Sequence, residues 1–313
     1  MTDRLTILTY HRVLPAPDPL RPGDPDHSIF ETQVRTLARF CNVLALDQAV
    51  TRMRAGNLPP RSVCITFDDG YADNAEQALP ILKKYRIPAV FFVATGFLNG
   101  GRMFNDTVIE AVRVWPNTEM DLQDVGLGVQ SVRDDDERRA TIKALLAKIK
   151  YLDSSERDSV AATLASNCDG NLPSNLMMNT EQLRMLVDAG MEIGGHTVTH
   201  PILTNLDRRK AEEEIQTGRT ELERLTGQEI PGFAYPNGRP GRDYGSEHVG
   251  IVRDAGFRYA VSTAVGRADR ESDPWQLPRA VCWQRTPMRL LLHLLRMWRI
   301  RPEDRVDSMA AAL

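Results

Sequence analysis

Two adjacent carboxylates, Asp68 and Asp69, stand in TFDDGY (residues 66–71), directly after the β-rich run SVCI. At a strand end their charges repel, and each pKa would rise unless a cation offset it. Side chains of consecutive residues diverge, so one carboxylate can bind a metal while the other faces a substrate. DDG is also common turn chemistry, and a polar turn is the plain alternative. A second cluster, EIGGHTVTHP (192–201), carries His196 and His200, two of only six histidines, four positions apart after another β-rich run. Alone, that spacing also describes a surface pair. Together, one carboxylate and two imidazoles make a three-ligand set with open positions, suited to Zn²⁺ or another divalent first-row ion that keeps water available. A third candidate is His11 in YHRV (10–13), which as a lone histidine also reads as a hydrogen-bonded structural residue.

These residues need elements to hold them. Seven apolar or β-branched runs cover 5–9, 63–67, 89–94, 191–194, 232–235, 259–262 and 277–283. Amphipathic stretches separate them at 30–41, 74–85, 180–189, 207–226 and 243–255. Strands alternating with helices predict parallel pairing and an α/β fold, and seven strands suit a barrel. Thr180 with Glu181 reads as an N-cap and first turn, and Gly190 and Gly256 read as C-caps. All three chemical clusters then fall at C-terminal strand ends, the face on which barrel enzymes assemble their sites. Residues 100–179 break the rhythm with helical patterns and no convincing strand, and read as a helical insertion that is a lid or a structural pad. Within it, RDDDERR (133–139) reads as a solvated helix start, and residues 18–26 as a Pro-rich loop.

The balance of 39 basic against 42 acidic side chains gives a net charge of −3, with no electrostatic case for a nucleic-acid partner. The four cysteines show no CxxC pairing, and Cys41 and Cys64 read as reduced core thiols. The N-terminus reads as an ordinary first strand, which makes the cytoplasm the expected compartment. No run reaches the roughly 18 apolar residues of a membrane span. Residues 288–300, MRLLLHLLRMWRI, are read either as a terminal helix packed on the domain or as an amphipathic helix resting on a membrane surface; they belong to a C-terminal helix and tail over 286–313.

The chain resembles the polysaccharide deacetylases of carbohydrate esterase family four, the NodB-homology domain. TFDDGY matches that family's first motif, HTVTH (196–200) its second, and FAYPNG (233–238) is similar to its third. The early YHRV resembles the branch in which the histidine motif precedes the aspartate motif, as in exopolysaccharide and poly-N-acetylglucosamine deacetylases. The resemblance implies a single domain over 1–313 with a distorted (β/α)7 barrel, the insertion at 100–179 lying within it. It implies removal of an N-acetyl group from an amino sugar in a poly- or oligosaccharide. Asp68 would be the general base, Asp69, His196 and His200 would bind the metal, and His11 would be the general acid. The backbone N–H of Tyr235 would help hold the oxyanion. Phe233 stands where many relatives carry an arginine that orients the catalytic aspartate, and Arg279 is the expected substitute; a sugar-binding role for Arg239 is the rival explanation for basic charge nearby. The late LxH motif is matched by Leu291-Leu292-His293, but that helical context predicts a solvated His293, and His11 is preferred. Asp273 and Trp275 resemble a shortened fourth motif, as support for the acid and as a sugar-stacking ring, or else as a loop acid and a core tryptophan. Two other functions compete. One is a deformylase or deacylase of a lipid-linked amino sugar at the membrane surface. The other is a non-catalytic carbohydrate-binding barrel.

Overall fold

The computed structural model describes residues 3–152, 154–168, 172–302 and 305–307. Seven parallel strands close on themselves: β1 (Arg4–Tyr10), β2 (Ser62–Phe67), β3 (Val90–Val93), β4 (Glu192–Gly195), β5 (Gly232–Ala234), β6 (Tyr259–Val265) and β7 (Leu277–Val281). Each pairs with the next in chain order, and β1 joins both β2 (Leu5 opposite Ser62 through Tyr10 opposite Phe67) and β7 (Leu8 opposite Ala280, Thr9 opposite Val281). This is the (β/α)7 barrel that the resemblance implies and that seven candidate strands suit. Two short strands, Asn42–Val43 along β2 and antiparallel Ala268–Asp269 along β1, widen the foot.

The period of two in the strands sorts the core into two layers. Leu5, Ile7, Cys64, Val90, Phe92, Ala234, Val261 and Leu277 belong to the barrel interior, continued at the foot by Leu46, Ala49 and Met53 of the helix Leu46–Arg54. Leu8, Tyr10, Ile65, Phe67 and Phe91 take the alternate positions and pack under the surrounding helices. A short helix with a single buried face gives little periodic signal, and Leu46–Arg54 escaped the sequence reading for that reason. The N-cap expected at Thr180 is Asn179, whose side chain accepts from the Gln182 N–H in a reciprocal capping box. All four cysteines are free, Cys64 fully buried and Cys41 partly so.

The region expected as an insertion within one domain is a compact unit of its own, residues 17–22 with 100–177. Its helices Phe104–Val114, Asp135–Ile149 and Ser154–Ser166 lie where the patterns place them. The expectation of helices alone is corrected by an antiparallel hairpin, Glu119–Leu122 with Gly128–Ser131. Those strands are four residues each and mostly polar, too short for alternation to register. Val108, Val112, Met120, Leu145 and Ile149 form a separate core. A buried Arg21–Asp106 ion pair of 2.6 Å ties in the segment 17–22.

The terminal helix Pro287–Met297 packs Leu290, Leu294 and Met297 into the barrel's outer core, as the packed-helix reading requires. Met288, Leu292 and Leu295 remain exposed on its other side. Among the described residues no helix is long and apolar enough to cross a membrane. The tail from 308 lies outside the described residues.

Candidate active site

The loops leaving β2 and β4 bring Asp69, His196 and His200 together. Asp69 Oδ1 lies 3.3 Å from His196 Nε2 and 3.5 Å from His200 Nε2, and the potential ligand atoms all lie within 4.8 Å of one another. Three ligands about 2.1 Å from a tetrahedral ion stand roughly 3.4 Å apart, and the two distances from Asp69 match that spacing. His196 Nδ1 is 2.7 Å from the Ala234 carbonyl. That acceptor assigns the proton to Nδ1 and leaves the Nε2 lone pair for an ion. Burial alone would lower the His196 pKa, but hydrogen bonding to Asp69 and the two aspartate charges raise it. Burial and the His196 charge instead push His200 down to about 3, against the opposing pull of Asp69 and Asp68. Burial works to raise Asp69, yet its three histidine neighbours carry it well below the usual carboxylate range. The cluster thus presents one ionised carboxylate with two imidazole Nε2 atoms turned toward it.

Strain is concentrated around this centre. Asp69 (φ 76°), Thr197 (φ 66°), His200 (φ 55°) and Asn237 (φ 58°) adopt left-handed backbone conformations without being glycine, each costing of order 1–3 kcal/mol. Neighbouring elements hold them there. Glu214, on the helix Arg208–Thr226, accepts from the N–H groups of Val198 and Thr199, both at 2.8 Å, and from the Thr199 hydroxyl at 2.7 Å. Gly218, one turn further on, lets the same helix press against this loop; a Cβ there would meet the Thr197 carbonyl at 3.0 Å. The Thr95 and Gly96 amides after β3 donate to the carbonyls of Thr197 and Val198.

Asp68 belongs to a different network. Arg279, only 2% exposed, grips both its oxygens at 2.7 Å and donates also to Thr66 Oγ1 (3.2 Å) and the Ser262 carbonyl (2.9 Å). Arg279, the side chain expected to replace the arginine missing at Phe233, is therefore the one that pairs with Asp68; Phe233 itself is buried in the outer core. Burial raises the Asp68 pKa, but the Arg279 charge and hydrogen bonds, with His196 and His11, bring it below its ordinary value.

His11 leaves β1 beside Asp68, whose N–H donates to the Tyr10 carbonyl. It is exposed, and its charge acts on Asp68, Asp69 and His200. Its backbone is clamped by residues the sequence reading missed. Asn74 Nδ2 donates to the His11 carbonyl at 2.9 Å, and Asp73 accepts from Arg12 Nε at 2.7 Å and from the Val13 N–H at 3.2 Å. Asn74 opens a π-helical turn, Asn74–Ala78, a distortion frequent at functional sites. Asp73, a third acid within six residues of Asp68, was the available signal; Glu214, one of many acids on a charged helix, left none. His293, by contrast, is not solvated as expected. Its ring is half-buried and directed toward the Val281 backbone.

Three expectations are corrected. The Tyr235 N–H donates to the Val261 carbonyl at 3.2 Å, so it continues the sheet and is not free to receive an oxyanion. Its ring stacks on Tyr244 at 3.8 Å, and its hydroxyl donates to the Trp275 carbonyl. Two residues later the Asn237 N–H has no acceptor among the described residues. Asp273 and Trp275 precede β7 and so lie at the foot of the barrel, opposite the centre. Asp273 accepts from the Trp275 N–H and from Gln276 Nε2, both at 2.9 Å. The Trp275 indole donates to the Phe257 carbonyl at 3.0 Å. They cap a loop and reach neither His11 nor a sugar at the mouth.

Comparison with known proteins agrees with this architecture. Among solved structures, Streptococcus pyogenes deacetylase PplD in complex with acetate superposes with a TM-score of 0.62 at 20% identity, covering 94% of this chain and 99% of its own. IcaB from Ammonifex degensii gives 0.61 at 22%, covering 95% and 97%. At such identities the likeness establishes the fold. Poly-beta-1,6-N-acetyl-D-glucosamine N-deacetylases of Staphylococcus aureus (strain MSSA476) and Staphylococcus epidermidis (strain ATCC 35984) are 39% and 35% identical over 79 and 77 residues. The matched segments are about a quarter of this chain and span 27% of each relative's length. The family profile described as polysaccharide deacetylase matches residues 55–121 and 150–260. With more than half of its residues matched, the chain belongs to the polysaccharide deacetylase family.

Proposed function

We propose that the protein hydrolyses the N-acetyl group of an amino sugar within a poly- or oligosaccharide, using a divalent metal, most naturally Zn²⁺. The observation that carries this reading is the pairing of a three-ligand cluster (Asp69, His196, His200) with a separate carboxylate, Asp68, kept ionised by Arg279. A closed structural metal site would need a fourth protein ligand, and among the described residues the cluster has three. An ion held there would polarise the acyl oxygen and lower the pKa of water from 15.7 toward about 7.

The chain's own groups supply the remaining steps. Asp68, fixed on both oxygens by Arg279, takes a proton from water as the water oxygen attacks the acyl carbon. The unclaimed Asn237 N–H, in the loop after β5, replaces Tyr235 as donor to the oxyanion; one such donor is typically worth roughly 3–4 kcal/mol. His11, in its protonated form, gives its proton to the departing nitrogen as the C–N bond breaks, leaving acetate and a free amine. A non-catalytic carbohydrate-binding barrel would not need a carboxylate kept ionised beside a three-ligand cluster with open positions, which disfavours that alternative.

The test is acetate release from N-acetylglucosamine oligomers with and without chelator. Asp68→Asn is expected to retain metal while kcat falls by roughly 10²–10⁴, the range usual for acid–base groups. Near-wild-type turnover by that variant at saturating metal would reject the assignment. A lipid-linked amino sugar is the second reading, favoured by the exposed Met288, Leu292 and Leu295, spaced to share one helix face near Arg289 and Arg296. Preference for lipid-linked over soluble acceptors would select it.

A further inference from the structure

Trp283 is the most exposed aromatic side chain among the described residues, at 62%, and it is held in place by its surroundings. Gln33, 2% exposed, donates to the carbonyls on both sides of it, Cys282 at 3.5 Å and Gln284 at 2.8 Å. One edge of the indole rests on Gly23, where a Cβ would come within 3.0 Å of Cζ3. Holding a large apolar ring toward water forgoes the stabilisation that its burial would bring. Fixing its backbone with a buried amide adds an entropic cost that a merely accidental surface residue would not carry.

Register says where the ring emerges. Thr9 of β1 lies opposite Val281 of β7, so the segments that carry His11 and Trp283 leave the mouth of the barrel from neighbouring strands. Alternation along β7 puts Leu277 in the barrel interior and directs Arg279 onto Asp68. Val281, 42% exposed, and Trp283 continue that parity at the mouth. Val265, 56% exposed, stands opposite Arg279 on β6. The C-terminal end of β7 therefore presents apolar surface that ends in one flat ring, while the ligand cluster follows β2 and β4. The Trp275 expected to stack on sugar is at the wrong end of the barrel, and Trp283 is at the right one.

We propose that Trp283 is the substrate platform of this site: its exposed face stacks on the apolar C–H face of a pyranose ring and positions that ring's acyl amide between Asp68 and His11. The inference rests on the deacetylase reading and adds the surface that selects a sugar over a bare acyl group. Aromatic stacking of this kind contributes up to about a tenfold effect on binding.

The experiment compares wild type, Trp283→Ala and Trp283→Phe on an N-acetylglucosamine pentamer and on 4-nitrophenyl acetate, which lacks a sugar. KM for the pentamer is expected to rise about tenfold in Trp283→Ala, with at least fivefold less change in kcat/KM for the nitrophenyl ester. Trp283→Phe should recover most of the pentamer loss. Equal losses on both substrates, an unaltered pentamer KM, or a phenylalanine variant as impaired as alanine would each overturn the platform. Absence of pentamer turnover by metal-loaded wild type would instead overturn the deacetylase reading, so the two failures are distinguishable.

Discussion

The two ends of the barrel each bury a carboxylate, with opposite results. At the mouth, Asp68 is enclosed as fully as any core residue, yet its pKa is lowered, because Arg279 neutralises both its oxygens. At the foot, Glu192 opens β4. Its oxygens receive the Tyr259 hydroxyl and the Asp47 N–H, both uncharged donors. Burial pushes it up to about 7, helped by the nearby Asp47 charge and only partly opposed by Arg258. Low-dielectric surroundings are common to both ends; what differs is whether the compensating partner carries a full positive charge. A barrel can thus keep one acid ready to take a proton and another reluctant to lose one, through the choice of a single neighbour.

The comparison is tested most severely by removing the positive charge the mouth is built to receive. Asp69→Ala or His196→Ala should abolish stoichiometric metal, read by elemental analysis, and lower turnover at least about 10³-fold, since the ion supplies several kcal/mol of transition-state stabilisation. Full metal content in either variant would show that the cluster is not the binding site.

Next in size is Arg279→Met, which makes the mouth resemble the foot. Asp68 would then be buried with no cation on its oxygens. Leaving one partner of a buried pair alone typically costs 3–5 kcal/mol, readable as a loss of denaturation midpoint. The folded fraction should show kcat reduced by roughly 10²–10³ and an acidic limb of the pH–rate profile displaced upward, because protonated Asp68 cannot accept from water. An undisplaced limb would mean that Arg279 only supports the fold.

The foot offers the complementary test. Glu192 has a folded pKa near 7, above its unfolded value of about 4.3. Between those values the folded state binds more protons than the unfolded chain, so this residue's contribution to stability declines as pH rises through that window. The decline amounts to about 2–3 kcal/mol. Glu192→Gln, which cannot ionise, should lack this decline: it should lie closest to wild type near pH 4.5 and gain stability relative to it toward pH 7.5. A constant gap would show that Glu192 is already ionised at the lower pH.

Legibility in the sequence followed physical range. Strand alternation and the spacing of helices depend on local residues, and they placed all seven strands. The ligand cluster was readable because Asp69, His196 and His200 lie at strand ends, where side chains must converge. Arg279 was reached through the resemblance, because relatives carry an arginine where this chain has Phe233 and a substitute for it stands in the late strand run. The Tyr235 N–H, which the resemblance implied as an oxyanion donor, is already taken because sequence does not say where sheet pairing stops: it still bonds to Val261, beyond the last residue of β5. The left-handed conformations of Asp69, Thr197, His200 and Asn237 were equally hidden, being imposed by distant partners such as Glu214 rather than by the residues themselves.

The smallest expected effect concerns Asp273, and it bears on the same contrast. A fourth-motif reading would couple it to His11 at the mouth, whereas it sits before β7 and spends its oxygens on Trp275 and Gln276. Asp273→Ala removes two hydrogen bonds that solvent can partly replace, at a cost of about 1–2 kcal/mol in stability. Because it precedes β7 and its oxygens are taken up by Trp275 and Gln276, kcat and KM should each change less than about twofold, and the pH–rate profile should not move. His11→Ala makes the contrasting case: as the proposed proton donor it should lower kcat roughly 10²–10⁴-fold. If Asp273→Ala shifted the profile as His11→Ala does, the two ends of the barrel would be electrostatically coupled, and the independence on which their opposite behaviour is explained would fail.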